Sequence, residues 1–314
     1  MIITITLNPA IDRTLIVEDE IELGVVNTVA DSIVGVGGRG INVSRAIRSL
    51  GGESIALGFT AGNNGREVKN TLTSLGIRHD FTDVPGETRV NTQIVHPDGS
   101  HTDFNEKGTV VSDEDYLRFL ERLKTYLSPE NFFVLCGSIP KGMKEKQYMK
   151  IIKMIKKAGC QLLIDSDGNT LKSILELPQK PDFIKPNTTE LAKLTGLPRT
   201  HDPEEALERV QPLVGKISQM ICASLGPNGA IFLFPDEKPL YVVANAGPAD
   251  KSAVGSGDAM VGAIAHAFNQ HMSHEESAKF AVAMGTASAK LPSTQMATMK
   301  EAFEVYETIK VYTM

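Results

Sequence analysis

The amino-acid sequence predicts an α/β fold: a doubly wound, mainly parallel sheet flanked by helices, with a small β-sheet lid. Three observations carry this reading. Short apolar runs rich in β-branched residues alternate with helix-period segments over most of the 314 residues, the pattern of strands buried on both faces and helices covering them. Two extended, half-polar segments interrupt that rhythm. Polar or glycine-rich turns follow several of the apolar runs, at the strand ends where open α/β sheets bind ligands.

The first run, Ile2-Ile3-Thr4-Ile5-Thr6-Leu7, predicts a core strand that ends in the turn Asn8-Pro9-Ala10-Ile11-Asp12. Residues 13–34 then read as extended and half-polar, and a glycine turn from Gly35 to Gly40 leads into a helix over 42–50. A strand at 54–59 and a helix at 67–75 come next. The second interruption, 89–104, holds Pro97-Asp98-Gly99-Ser100 between alternating runs, the turn signal of a hairpin. The alternation resumes with a helix at 113–126, strands at 132–136, 161–165, 183–185 and 220–224, and helices at 146–157 and 204–214. From Asp258 to the end the chain reads as helical. This divides the molecule into a core of residues 1–12, 35–87 and 108–314 and a discontinuous β lid of residues 13–34 and 88–107. The lid would lie over the sheet edge where the core loops emerge, although the pattern fits ordinary antiparallel edge strands equally well.

A formal charge of -6, from 32 basic and 38 acidic residues, supplies no excess positive field for a polyanion, so nucleic acid is excluded as a partner class. No apolar run approaches the ~20 residues of a membrane span and no leader precedes the first strand. The expectation is a soluble, cytoplasmic protein acting on small molecules. Cys136, Cys160 and Cys222 lie far apart beside apolar runs and read as reduced core residues. The histidines form no metalloprotease motif and have no cysteine partner at zinc spacing.

Gly35, Gly37 and Gly40 have the G-x-G-x-x-G spacing of a dinucleotide-binding turn. Such a turn should follow the first core strand, open a helix and be answered by an acid at the end of the next strand. Only the helix requirement is met. Gly37-Gly38-Arg39-Gly40 instead leads into Ile41-Asn42-Val43-Ser44-Arg45, exposing backbone amides at a helix start to an anion or a polyol. Arg39 and Asn42 favour a ligand bearing hydroxyl groups or phosphate.

A second cluster, Gly255-Ser256-Gly257-Asp258, precedes a run whose apolar residues recur at helical spacing. Amides of Gly255, Ser256 and Gly257 at that helix start suit negative charge developing on a transferring phosphoryl group, and Asp258 stands ready to take a proton from an attacking hydroxyl. Asp is also a common helix N-cap, which needs no chemistry. Ser224-Leu225-Gly226-Pro227-Asn228-Gly229 and Lys185-Pro186-Asn187-Thr188-Thr189-Glu190 add further phosphate-compatible turns, and no P-loop motif occurs.

Together and in order, Thr6-Leu7-Asn8-Pro9-Ala10-Ile11-Asp12, Gly37-Gly38-Arg39-Gly40-Ile41-Asn42-Val43-Ser44-Arg45, Thr88-Arg89-Val90-Asn91, Gly137-Ser138-Ile139-Pro140, Lys185-Pro186-Asn187 with Glu190-Leu191, Ser224-Leu225-Gly226 and Gly255-Ser256-Gly257-Asp258 resemble the PfkB, or ribokinase-like, family of carbohydrate kinases over nearly the whole chain. The resemblance is greatest to the branch of 1-phosphofructokinase, tagatose-6-phosphate kinase and the minor 6-phosphofructokinase. It implies an ATP-dependent kinase, often paired lid to lid as a homodimer. It makes Asp258 the catalytic base and Gly255, Ser256 and Gly257 the anion hole. Sugar recognition falls to Asp12, Gly38, Asn42 and Asn91, and the substrate's own phosphate to Arg89 and Ser138. Lys185, Asn187, Ser224, Gly226 and Gly229 line the ATP site, and Mg²⁺ is held on the ATP phosphates with indirect help from Asn187 and Glu190.

The match departs at Arg39, where the branch has Lys or Gly, at Asn27-Thr28 in place of an Asn-Arg pair, at Lys107 in place of Pro, and at 249–253. Arg39 and Lys107 are candidate compensating phosphate contacts, of different geometry. These changes bear on the substrate more than on the reaction. Fructose 1-phosphate and tagatose 6-phosphate lead, and a nonphosphorylated sugar or nucleoside fits if Arg89 is structural. A noncatalytic sugar-phosphate sensor would have no need of Asp258, and an NAD-dependent oxidoreductase would change nicotinamide absorbance.

Overall fold

Unbroken apolar runs become the centre of a ten-stranded sheet, and the half-polar segments become a separate four-stranded one. The structure, a computed structural model, describes residues 1–245 and 254–314. In chain order its first half contains β1 (Ile2–Thr6), β2 (Ala10–Ile16), β3 (Asp31–Gly37), α1 (Arg39–Ser49), β4 (Ser54–Ala61), α2 (Gly62–Ser74), β5 (Arg78–Val84), β6 (Arg89–Val95), β7 (His101–Asn105), α3 (Asp113–Lys124) and β8 (Phe132–Cys136). The second half contains α4 (Glu145–Lys157), β9 (Gln161–Asp165), α5 (Gly168–Ile174), β10 (Phe183–Ile184), α6 (Thr188–Thr195), α7 (Pro203–Val210) and β11 (Met220–Ser224). It closes with β12 (Ala230–Leu233), β13 (Leu240–Ala244), α8 (Ser256–Asn269), α9 (His274–Ser288), α10 (Met299–Tyr306) and β14 (Ile309–Thr313).

The large sheet has the order β14-β13-β12-β11-β10-β9-β8-β1-β4-β5. It is parallel from β5 to β11 and antiparallel from β11 to β14. Every residue of β1, β4 and β8 is buried, which is why these strands read as continuous apolar runs rather than as alternation. The chain leaves β1 for β4 and β5 on one side and then crosses to β8 on the other. The reversal opens a crevice at the carboxyl ends of β1 and β8.

α8 is apolar all round, and its burial between α1 and α9 explains that. Gly262 sets the closeness of one contact: a Cβ there would stand 2.6 Å from the Cβ of Ala46 on α1 and 3.1 Å from the carbonyl oxygen of Val43. Residues one turn earlier on each helix, Asp258 and Asn42, are thereby brought face to face.

The second sheet has the order β3-β2-β6-β7. Its strands reach beyond the extended segments read from sequence: β2 already starts at Ala10 and β3 runs to Gly37, so Asp12 belongs to this sheet. The hairpin turn at 96–100 forms as expected, with His96 N–H donating to Ser100 O and Gly99 in the left-handed region at φ +81°. Asp12, Thr14, Asn91, Gln93, Asp103 and Asn105 share the face turned towards the cavity described below.

The expectation that the chain is helical from Asp258 to its end is corrected by β14. Ile309 and Val311 alternate with Lys310 and Tyr312, and the strand pairs antiparallel with β13. Period-two alternation over so short a stretch was masked by the helices before it. α1 also begins earlier than expected, because Gly38 at φ +106° breaks the chain into the helix immediately before Arg39.

Candidate active site

The crevice widens into a cavity of about 1030 Å³ whose wall includes residues from each of the motif segments quoted for the family resemblance. Asp258 lines it. It is not an N-cap: Gly255, left-handed at φ +83°, occupies that position, and Asp258 stands in the first turn of α8. Its Oδ2 accepts a hydrogen bond from Asn42 Nδ2 at 2.8 Å. Burial pushes the Asp258 carboxyl up to about 7; Arg39, the Asn42 hydrogen bond and Lys185 oppose the shift and Asp165 adds to it. A carboxylate that titrates near neutrality suits general-base work. Gly255, Ser256 and Gly257 line the cavity at the positive end of the helix dipole.

Beside Asp258 lies a group of charges, buried at Asp165, Lys185 and Glu190 and half-exposed at Arg39. Asp165, at the end of β9, has Lys185 Nζ at 3.4 Å and Arg39 Nη1 at 3.5 Å, yet its Oδ1 accepts no hydrogen bond among the described residues. Arg39 Nη1 also donates to Glu190 Oε1 at 3.1 Å. The Arg39 guanidinium is therefore held by acids on the Lys185 side of the cavity rather than turned to the Arg89 side. Asp165 first, against burial, and then Glu190 and Asp258 raise its basicity. Burial would lower the Lys185 pKa, but Asp165, Glu190 and Cys222 together raise it. Burial and Asp165 raise the Glu190 pKa against Lys185 and Arg39.

Asn187 and Glu190 form a capping box at the start of α6. Asn187 Oδ1 accepts from Thr189 N–H and Glu190 N–H, while Glu190 Oε2 accepts from Asn187 N–H. Asn187 Oδ1 thereby accepts two hydrogen bonds and each Glu190 oxygen accepts one, an arrangement that fits a metal ion held through water.

At the other end, Asp12 Oδ1 accepts from Asn91 Nδ2 at 3.0 Å. Burial raises the Asp12 pKa, and Asn91, Arg89 and Arg45 counter it. A Cβ at Gly37 would stand 1.9 Å from Asp12 Oδ2, so the glycine leaves the Asp12 carboxylate its place. Gly38 leaves room against Thr6 and Pro9. Asn8 Nδ2 donates to Ser138 Oγ at 3.2 Å and to Lys107 O at 3.3 Å, joining β1, β8 and the link after β7. Arg89 donates from Nη2 to Asn8 O at 3.0 Å and from Nη1 to Glu106 O at 3.1 Å. Its Nε–H is buried with no acceptor among the described residues. Lys107 reaches this group through its backbone carbonyl, and its side chain is exposed.

Ser224, Gly226 and Gly229 also line the cavity. Ser224 bridges to Asn187, and Leu225 N–H donates to Gly229 O, closing the loop between β11 and β12. Gly229 is left-handed at φ +82°, and a Cβ there would stand 2.2 Å from Val242 O.

Sequence reasoning missed Asp165, Asn8 as a side chain and Thr294. Asp165 ends an expected strand at its carboxyl edge, which was the available signal. Thr294 lies in the link between α9 and α10, where no motif marks it. Of the departures, Asn27 donates to Glu22 O and Val25 O in an exposed turn away from these groups, and 249–253 lies outside the described residues.

Comparison with known proteins matches residues 5–301 to the profile described as pfkB family carbohydrate kinase. The tagatose-6-phosphate kinase of Staphylococcus epidermidis is 32% identical over 312 residues, 99% of either chain. The structure of phosphofructokinase-2 from Escherichia coli in complex with potassium superposes with TM-score 0.90 at 27% identity over 98% of each chain, and a tetrameric inhibited form of that enzyme gives 0.88 at the same identity and coverage. A structure from Thermotoga maritima, of a possible 1-phosphofructokinase, gives 0.89 at 28% identity over 100% of this chain and 99% of that one.

Proposed function

The chain belongs to the pfkB family of carbohydrate kinases, and from that premise we propose that it transfers a phosphoryl group from ATP to a hydroxyl of a ketohexose phosphate, giving a ketohexose bisphosphate. Fructose 1-phosphate and tagatose 6-phosphate are the candidate acceptors. The observation that carries this reading is the presence in one cavity of a buried carboxylate, Asp258 held by Asn42, and an anchored cation, Arg89.

Asp12, Asn91, Asn42 and Gly38 present donors, acceptors and open backbone to the sugar hydroxyls. Arg89 is pre-oriented by two carbonyls and keeps a buried N–H in need of an acceptor, which favours a substrate that already carries phosphate over a free sugar or nucleoside. Ser138 donates beside it. Asp258 takes the proton of the attacking hydroxyl, and the first turn of α8, from Gly255 to Gly257, stabilises charge developing on the group in transfer. Lys185, Asn187, Ser224, Gly226 and Gly229 hold the nucleotide. Asn187 and Glu190 would help to hold Mg²⁺ through water, and the ion would supply positive charge at the ATP phosphates.

The four-stranded sheet acts as the lid, since its polar face looks into the cavity. Its opposite face, in this proposal, pairs with the same face of a second copy to form a homodimer, and the protein works in the cytoplasm. Among the described residues no helix is long and apolar enough to cross a membrane.

The test is an ADP-release assay with Mg²⁺ and ATP against fructose 1-phosphate, tagatose 6-phosphate, fructose 6-phosphate and free sugars, run beside Asp258→Asn. Turnover of one phosphosugar that collapses in the variant supports the kinase reading and names the acceptor. No turnover with any of them, while ATP still binds, transfers the case to a sensor.

A further inference from the structure

One helical turn of α1 carries two side chains that work as a unit. Asn42 and Arg45 stand at i and i+3, on neighbouring positions of one face. Arg45 Nη1 lies within hydrogen-bond distance of Asn42 Oδ1 at 3.1 Å, Thr294 Oγ1 at 3.2 Å and Val36 O at 3.3 Å. The Asn42 amide has one acceptor oxygen and one donor nitrogen. With its oxygen fixed on a permanent cation, its nitrogen is directed at Asp258 Oδ2. The reverse orientation would set oxygen against carboxylate and amide N–H against guanidinium. Asn42, Thr294, Asp12 and Asp258 line the cavity and Arg45 does not.

We propose that Arg45 is a positioning residue for phosphoryl transfer: acting through Asn42, it orients the general base Asp258 and ties that base to the end of β3 and to the link after α9. This rests on the kinase reading above. The charged groups facing Asp258 are Arg39 and Arg45 from α1, Asp165 from the end of β9 and Lys185 from the end of β10. Arg45 also faces Asp12, so it stands between the carboxylate assigned to the sugar and the one assigned to the proton.

The experiment measures kcat and KM as a function of pH for the wild type, Arg45→Met, Arg45→Lys, Thr294→Val and Asn42→Ala with and without Arg45→Met. Arg45→Met is expected to lower kcat by ~10- to 100-fold, a part of what a positioned base contributes, with KM for ATP changed less than about threefold. The acid limb of kcat/KM should move to higher pH, because Asp258 loses both a nearby cation and its fixed donor. Arg45→Lys should recover part of the shift, Thr294→Val should show a smaller shift in the same direction, and Arg45→Met should add little once Asn42 is Ala.

A fall in kcat with the acid limb unmoved, or effects of Arg45→Met and Asn42→Ala that simply add, would overturn the proposal. If Arg45→Met does not fold, Arg45→Lys and Thr294→Val decide it by the same limb. A wild type inactive on every phosphosugar and free sugar sinks the kinase reading instead, so the two failures are separable.

Discussion

In the proposed role of base, Asp258 would have burial serve activity at the expense of stability. With its carboxyl raised to about 7, the proposed base is half-ionised near neutrality, so kcat/KM should rise with pH and reach half its plateau near 7. The stability effect has the opposite sign. Between the unfolded value of 3.8 and about 7 the folded chain holds a proton that the unfolded chain has lost, so stability falls as pH rises, by ~1.4 kcal/mol per unit. Asp258→Asn should therefore lower kcat by at least ~100-fold while raising Tm at pH above about 7, with the Tm gain vanishing below about 4. A Tm gain that persists in acid would disprove the linkage. Gly37 gives a second test. Its absent Cβ makes room for the Asp12 carboxylate, so Gly37→Ala should displace that carboxylate and cost ~10- to 100-fold in kcat/KM for the sugar, with KM for ATP unchanged. Steady-state kinetics on both substrates decide it. Asp258, Asp12 and Arg89 could be singled out in sequence because each lies in a motif by which the chain resembles the family. Asp165 could not, since it lies in none of those motifs and its partners, Arg39 and Lys185, are distant in sequence.

At the scale of elements, strands buried on both faces were legible almost residue by residue: β8, β9 and β11 have the bounds their apolar runs predict. Helix starts were less so, since α1 and α2 begin inside loops rich in glycine and polar residues. The contact of α1 with α8 could not be read at all, because it depends on Gly262 meeting Ala46 across more than two hundred residues of chain. That contact fixes the spacing of Asn42 and Asp258. Gly262→Ala would force its new Cβ against a rigid Cβ and a carbonyl oxygen, so α8 must move away from α1. The expected cost is about 1–3 kcal/mol of stability together with a fall in kcat. The same substitution in Asn42→Ala, where the spacing no longer matters to the base, should cost the stability and little further kcat. Denaturant melts and kinetics on the two backgrounds separate these effects.

The four-stranded sheet carries the argument for the whole molecule. One face presents Asp12, Asn91, Gln93 and Asn105 to the cavity; alternation therefore puts Val34, Leu15, Ile94 and Phe104 on the other. Near its base this outer face is covered, with Ile11, Val36 and Val90 packed into the cluster around Val68 and Leu72 of α2. Higher up it is open, and Val34 and Phe104 are 56% and 58% exposed. The open part is mixed, with Arg13 and Thr92 between Val34 and Phe104 and with Leu15 and Ile94 paired in the next row. Exposed apolar residues among polar ones suit an association surface, and a sheet whose edge strands β3 and β7 each have one side without a partner strand among the described residues is suited to meet a second copy of itself. Light scattering should give a dimer or a multiple of one, and Val34→Asp with Phe104→Asp should give monomers. Because the inner face of the same strands carries Asp12 and Asn91, dissociation should also raise KM for the phosphosugar while leaving ATP binding unchanged. Monomers with wild-type KM would separate assembly from substrate binding, and an unaltered oligomer would place the contact elsewhere.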